Sequence, residues 1–177
     1  MTEVALVDAP AAPAWSRELA RRLVDGGVEV AAWVPDKRLA PLAAELDAIG
    51  AEVRTLTREE ECVGYAAGFR AAGGTPVVLM QCSGLGNAVN ALSSLAVPYG
   101  LGFVVVLSMR GTLGERNPAQ VPLGRTAVGM LSLLGIQSFS LRSPEDVTAV
   151  TDGALALADG AREVSAIVLE PELSLGS

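Results

Sequence analysis

Hydrophobic and polar positions along the chain switch repeatedly between a helical and a strand-like period. From Pro13 to Asp25, apolar Trp15, Leu19, Leu23 and Val24 share a helix face, and Gly26-Gly27 supplies a stop. Val28 to Val34 reads as a strand broken by Pro35-Asp36, and Lys37 to Ile49 as a helix closed by Gly50, with Pro41 admissible in its first turn. Ala51 to Thr57 is the next strand and leads directly into a helix that opens at Glu59. After Gly73-Gly74, Pro76 to Gln81 is a short continuous apolar run of the kind buried inside a parallel sheet. Ser83, Gly84 and Gly86 make a tight turn, Ala88 to Leu95 carry helical periodicity, and Gly102 to Gly111 frame another strand.

The following segment, Thr112 to Arg125, is too rich in Gly, Pro and Asn for regular structure. A loop of that length in a compact domain is usually functional or a contact surface. Thr126 to Leu134 then predicts a helix and Gln137 to Leu141 a strand. Ser143-Pro144 opens a helix running to about Ala161, and a last strand starts at Val164. The alternation predicts a three-layer α/β/α fold with a mainly parallel six-stranded sheet. At 177 residues a single domain spanning 1–177 is expected, its ordered core covering about 11–173 and its ends loose.

Composition sharpens this picture. Hydrophobic residues make up 50% and aromatics only 4%, which describes a core of Ala, Val and Leu between closely approaching elements. That is more apolar than a solitary domain needs, so part of the surface is expected to lie against another chain. Acidic residues outnumber basic ones by 20 to 13 and no basic run follows a phosphate backbone, which argues against nucleic acid. The longest apolar stretch, Phe103 to Leu107, is far short of the roughly 18 residues of a membrane span. The opening MTEVALVDAPAAP lacks the positive start of a signal peptide, so a cytoplasmic location is expected.

Two cysteines, Cys62 and Cys82, fall in separate elements and define no disulfide framework. The chain has no histidine, which removes Ser-His and Cys-His pairs and the usual zinc ligand sets, and no metal ligands are predicted. Proton transfer is left to carboxylates, Tyr, Lys, a cofactor or another chain.

Ligands of parallel α/β sheets gather at the carboxyl ends of strands. Three segments have that address: Arg58-Glu59, Gln81 to Asn87, and Arg110 to Gln120. In helical register Glu59 shares a side with Cys62, Val63 and Ala66, whereas Glu60 points with Gly64, and Glu61 with Tyr65 and Gly68. Glu59 is therefore the acid expected to face inward. The alternative is a plain helix start, whose backbone dipole favours acids in the first turn. SGLGN lacks both GxGxxG spacing and a P-loop lysine, so it reads equally as a glycine turn for close helix packing.

The run Glu59-Glu60-Glu61-Cys62-Val63-Gly64-Tyr65-Ala66-Ala67-Gly68-Phe69 resembles the signature of the pyrimidine-binding domain of thiamine-diphosphate-dependent decarboxylases and synthases, in which a glutamate precedes glycine and an aromatic by nine residues. That spacing selects Glu59. MQCSGLGNAVNALSSL and RGTLGERNPAQVPLGR resemble the α subunits of sulfopyruvate and phosphonopyruvate decarboxylases.

The resemblance implies that Glu59 is catalytic. It would hydrogen-bond a ring nitrogen of the cofactor's aminopyrimidine and favour the tautomer that takes the thiazolium carbon proton, a task suited to a carboxyl shielded from water. Gln81, Cys82, Ser83, Gly84, Leu85, Gly86 and Asn87 would lie with Glu59 against the pyrimidine. Arg110, Arg116, Gln120 and Arg125 would face the substrate or a subunit interface, with Arg110 foremost because it ends a buried strand. Guanidinium forks suit sulfonate and phosphonate oxygens.

Full-length members carry a GDG motif and a downstream asparagine that hold magnesium and the diphosphate. Here Asp152-Gly153 follows a threonine inside a helix. The resemblance thus implies thiamine diphosphate and Mg2+ as cofactors, and a separate β subunit in a heterotetramer or larger assembly. The reaction implied is conversion of a 2-oxo acid to an aldehyde and carbon dioxide. Cys82 is a departure, since related α subunits commonly have asparagine in that turn. A carboligase, a decarboxylase of an uncharged 2-oxo acid, and a non-catalytic regulatory subunit are the alternatives.

Overall fold

The structure, a computed structural model, describes residues 12–174. The chain ends expected to be loose fall almost wholly outside them. Six strands, β1 (Val30–Trp33), β2 (Glu52–Thr55), β3 (Pro76–Gln81), β4 (Val104–Ser108), β5 (Gln137–Leu141) and β6 (Ser165–Leu169), form one sheet in the order β2-β1-β3-β4-β6-β5. Every neighbouring pair is parallel. The helices are α1 (Ala14–Asp25), α2 (Ala40–Ala48), α3 (Glu59–Ala71), α4 (Leu85–Ala91), α5 (Val121–Leu133) and α6 (Val147–Leu155).

Strand side chains alternate between two separate cores, which creates the three layers. On one face Val77, Leu79, Val104, Val106 and Ile167 pack with Leu19 and Leu23 of α1, Leu42 and Leu46 of α2, and Ala154 of α6. On the other, Val78, Met80, Val105, Leu107 and Val168 pack with Cys62, Val63 and Ala66 of α3, Ala88 of α4, and Ala127 and Leu131 of α5. The small residues of α3 let it lie close on the sheet. Each central strand is buried along almost its whole length, as a parallel sheet covered on both faces requires.

Among the boundaries that differ from the sequence reading, three lie near the carboxyl end of the sheet. Helix α2 begins at Ala40 rather than Lys37, because the Asp36 carboxylate accepts hydrogen bonds from the backbone N–H of Arg38 (3.0 Å) and Leu39 (3.2 Å) and holds the intervening residues as a turn. Helix α4 starts at Leu85 and widens into a π-type turn over Leu92–Ala96. The segment expected to lack regular structure as far as Arg125 is shorter: Pro118–Gln120 form a 3-10 turn and α5 runs from Val121, with Pro122 in the first turn where a missing N–H costs nothing. Gly124 is needed in that helix, since a Cβ there would overlap the carbonyl oxygen of Arg110. Among the described residues no helix is long and apolar enough to cross a membrane.

Candidate active site

Helix α3 starts abruptly after β2 because its first turn caps itself. Arg58 is extended, and the Glu61 carboxylate accepts from the Arg58 N–H (3.2 Å), the Thr57 N–H (3.1 Å) and the Thr57 hydroxyl (2.7 Å). Glu60 accepts from Nε of Arg58 at 2.6 Å. Two of the three acids are thus spent on the helix start. Glu59 turns the other way, lies against Gly84, and accepts from Asn87 Nδ2 through Oε2 at 3.0 Å. Oε1 receives no hydrogen bond from the described residues. A Cβ on Gly84 would overlap Cγ, Cδ and Oε1 of Glu59, so glycine is what lets the carboxyl sit there. Beneath it Cys62 is fully buried, and burial, reinforced by the charges of Glu59 and Glu61, pushes its thiol up to about 12.

The turn after β3 is tied to two neighbouring strands. Gln81 donates to Asp36 Oδ2 (2.7 Å) and accepts from the Ser83 hydroxyl (2.7 Å), while Ser108, the last residue of β4, donates to Asp36 Oδ1 (3.0 Å). Cys82 is buried, and its sulfur accepts from the Arg110 N–H at 3.3 Å. Desolvation raises its pKa, with the Arg110 N–H opposing that rise. Leu85 belongs to the core, whereas Gly86 and Asn87 are exposed. The structure therefore brings Glu59, Gly84 and Asn87 into contact, and links Gln81 and Ser83 to them through the turn.

The third segment is folded around an ion pair. Arg110 donates to Glu115 through Nε (2.7 Å) and Nη2 (2.8 Å), and Glu115 also accepts from the N–H groups of Asn117 (2.9 Å) and Gly111 (3.2 Å). The Arg110 guanidinium, followed by those two N–H groups, holds the Glu115 carboxyl well below the usual carboxylate range. Arg116 is exposed nearby, and Gln120 buries an Oε1 that meets no hydrogen-bond partner among the described residues. Arg125, in the first turns of α5, lines a neighbouring hollow with Thr112 and Glu115.

Sequence reasoning missed Asp36, Arg38, Ser108 and Glu115. Arg38 donates to the carbonyl oxygens of Met109 (2.6 Å) and Glu170 (2.8 Å), just beyond β4 and β6. Its pKa is lowered, chiefly by burial. The available signal was position, since Asp36 to Arg38 follow β1 at its carboxyl end, the same address as the three segments that were singled out. A cleft of about 630 Å³ opens there, its walls including Asp36, Lys37, Arg38, Arg110, Glu115 and Arg116. Among the described residues no group of three or more His, Cys, Asp or Glu is disposed to hold a metal ion.

Comparison with known proteins fits this arrangement. The family described as thiamine pyrophosphate enzyme, N-terminal TPP binding domain, matches residues 15–118. The chain is 43% identical to sulfopyruvate decarboxylase subunit alpha of Methanothermobacter thermautotrophicus over 69% of its own length and 74% of that protein. It is 35% identical to phosphonopyruvate decarboxylase of Streptomyces viridochromogenes over 68% of its length, but spans only 31% of that longer chain. A solved structure of 2-oxoglutarate:ferredoxin oxidoreductase from Magnetococcus marinus superposes with a TM-score of 0.66 at 16% identity, covering 89% of this chain and 28% of that one, a likeness of fold. With the capped Glu59 helix, its glycine turn and the all-parallel sheet in place, the chain belongs to the thiamine pyrophosphate enzymes, as a domain of the N-terminal TPP-binding kind.

Proposed function

We propose that the chain is the α, pyrimidine-binding subunit of a cytoplasmic thiamine-diphosphate-dependent 2-oxo acid decarboxylase that acts on sulfopyruvate or phosphonopyruvate and releases the aldehyde and carbon dioxide. The observation that carries this reading is Glu59, held by Asn87 and seated on Gly84 at the carboxyl end of the sheet. The names of the relatives, one an α subunit and both decarboxylases of 3-substituted pyruvates, support the reaction and the substrate class.

The residues present fit one end of the cofactor. Glu59 would hold a ring nitrogen of the aminopyrimidine and share a proton with it, while Gln81, Cys82, Ser83, Gly84, Leu85, Gly86 and Asn87 form the turn against which the ring would rest. We assign magnesium and the diphosphate to a separate β subunit with a GDG-type domain, in a heterotetramer or larger assembly, and the α-subunit name of a relative supports a partner chain. Thiamine diphosphate supplies the electron sink that decarboxylation needs. This chain would orient the ring, hold a proton at Glu59 and shape the substrate cleft with Arg110 and Arg116, with Gln120 and Arg125 at the adjoining start of α5. Exposed Leu95, Val97 and Tyr99 after α4, and Val128 and Leu133 on α5, are the kind of apolar surface a partner chain covers.

The test is reconstitution. Calorimetry with thiamine diphosphate and magnesium should detect poor binding and no turnover by this chain alone, and its partner should restore both. The complex should turn over sulfopyruvate or phosphonopyruvate in preference to pyruvate. Arg110→Ala, Arg116→Ala and Arg125→Ala then report how far each arginine contributes to that preference. Micromolar cofactor binding with turnover by the single chain sinks the subunit assignment, and equal use of pyruvate sinks the substrate assignment.

A further inference from the structure

The cleft beside β1 is lined by more cationic than anionic side chains, although the chain as a whole is acidic. Among the described residues Lys37, Arg38, Arg110 and Arg116 line it with two carboxylates, Asp36 and Glu115, whereas the whole chain carries a net charge of -7. Both carboxylates are already committed. Asp36 is held by Gln81, Ser108 and two turn N–H groups, and Glu115 is wrapped by Arg110 and two more. The Arg38 guanidinium is directed at strand-end carbonyls and that of Arg110 at Glu115. Lys37 and Arg116 differ from them: both are exposed, and among the described residues no hydrogen bond or ion pair engages either end.

Lys37 is also the better mounted of the two. The residue before it is anchored to β3 and β4 through Asp36, and the residue after it to the ends of β4 and β6 through Arg38. Its backbone is pinned on both sides and only the four-carbon stem is free to move. Asp36, beside Lys37, ties the cleft through Gln81 and Ser83 to the turn after β3, the turn whose Gly84 seats Glu59. The tail of a substrate bound at this end of the sheet would meet the lysine where it enters the cleft.

We propose that Lys37, assisted by Arg116, binds the tetrahedral oxyanion at carbon 3 of the substrate and sets the preference for a sulfonate or phosphonate tail, whereas Arg110 acts by fixing the loop through Glu115. The inference rests on the decarboxylase reading above. A lysine ammonium suits the task because it is a compact point charge with three donors that can follow a rotating tetrahedral group. Exposed to bulk water such a pair would be worth little, so the effect depends on the partner subunit covering the cleft.

The experiment uses the reconstituted complex. Lys37→Ala should raise KM for sulfopyruvate and phosphonopyruvate about tenfold or more, with kcat changed less and pyruvate kinetics unchanged, and Lys37→Arg should restore most of the loss. Calorimetric titration with 3-sulfopropionate, which carries the tail and cannot be decarboxylated, should show the same loss of affinity in Lys37→Ala. An unchanged KM for both anionic substrates, or an equal loss with all three, overturns the proposal. If the parent complex uses pyruvate as well as sulfopyruvate, the substrate reading fails and the titration decides the site. A Lys37-dependent affinity for 3-sulfopropionate then keeps it, and a Lys37-independent one removes it.

Discussion

Arg110 places Nε and Nη2 on the two oxygens of Glu115, at 2.7 and 2.8 Å, so the guanidinium that ends the β4 segment is bound within its own loop. Because the same carboxylate takes the N–H groups of Gly111 and Asn117, one side chain gathers the whole turn. Gly124 then brings α5 down onto the Arg110 carbonyl. The loop has a definite shape before any anion arrives.

That pair sets a pH dependence. The folded-state pKa of Glu115 lies below its unfolded value, so its contribution is complete above the ordinary glutamate pKa of about 4.3 and is lost as pH falls through the depressed folded value. The gap in thermal midpoint between the parent and Glu115→Gln should therefore be constant from neutrality to about pH 5 and shrink in stronger acid. A gap that widened as pH fell would contradict the pairing.

Glu59 and Gly84 form a second testable couple. Glu59→Gln should leave folding intact and slow exchange of the cofactor's thiazolium proton in the reconstituted complex by about 10²–10⁴-fold. Glu60→Gln should be mild, and Glu61→Gln should act on stability by removing the helix cap. Gly84→Ala should reproduce the loss seen with Glu59→Gln, because its methyl group displaces the carboxyl. Similar exchange rates in the parent and Gly84→Ala would refute this packing argument.

Arg38 should matter for stability. Arg38→Ala deprives the Met109 and Glu170 carbonyls of a charged donor in a half-buried setting, which should cost about 1–3 kcal/mol in denaturant unfolding. A change below about 0.5 kcal/mol, the usual effect of a surface substitution, would show that water replaces the guanidinium without penalty.

The thiols offer a simpler check. Cys62 and Cys82 are both buried with raised pKa values, that of Cys62 reaching about 12, so neither should react with a thiolate-selective reagent near neutral pH until the chain unfolds. Rapid labelling of the native protein would indicate that this side of the sheet opens locally.

What was legible in the sequence was whatever repeats locally. β3 coincides with the run Pro76 to Gln81, and α3 opens at Glu59, because continuous apolar stretches and a capped first turn are written in adjacent residues. The start of α2 was misplaced because an Asx turn at Asp36 competes with the helix, and that of α5 because Pro122 and Gly124 look like breakers until one knows that the first sits in a first turn and the second against a carbonyl. Contacts such as Asp36 with Gln81 and Ser108 join residues 45 and 72 positions apart and leave no periodic trace. For the same reason the cleft around Lys37 could not be read from the chain.

The position of β6 has a consequence for how the molecule is made. It is the last of the described strands, yet it lies between β4 and β5 and is paired to both over five residues on each side. While the chain is being synthesised, β5 has no neighbour in the sheet and the inner edge of β4 stands bare until residue 169 has emerged. Closure of the sheet must therefore wait for translation to pass that point, and a nascent chain halted earlier would present an apolar, unpaired strand edge of the kind that chaperones recognise.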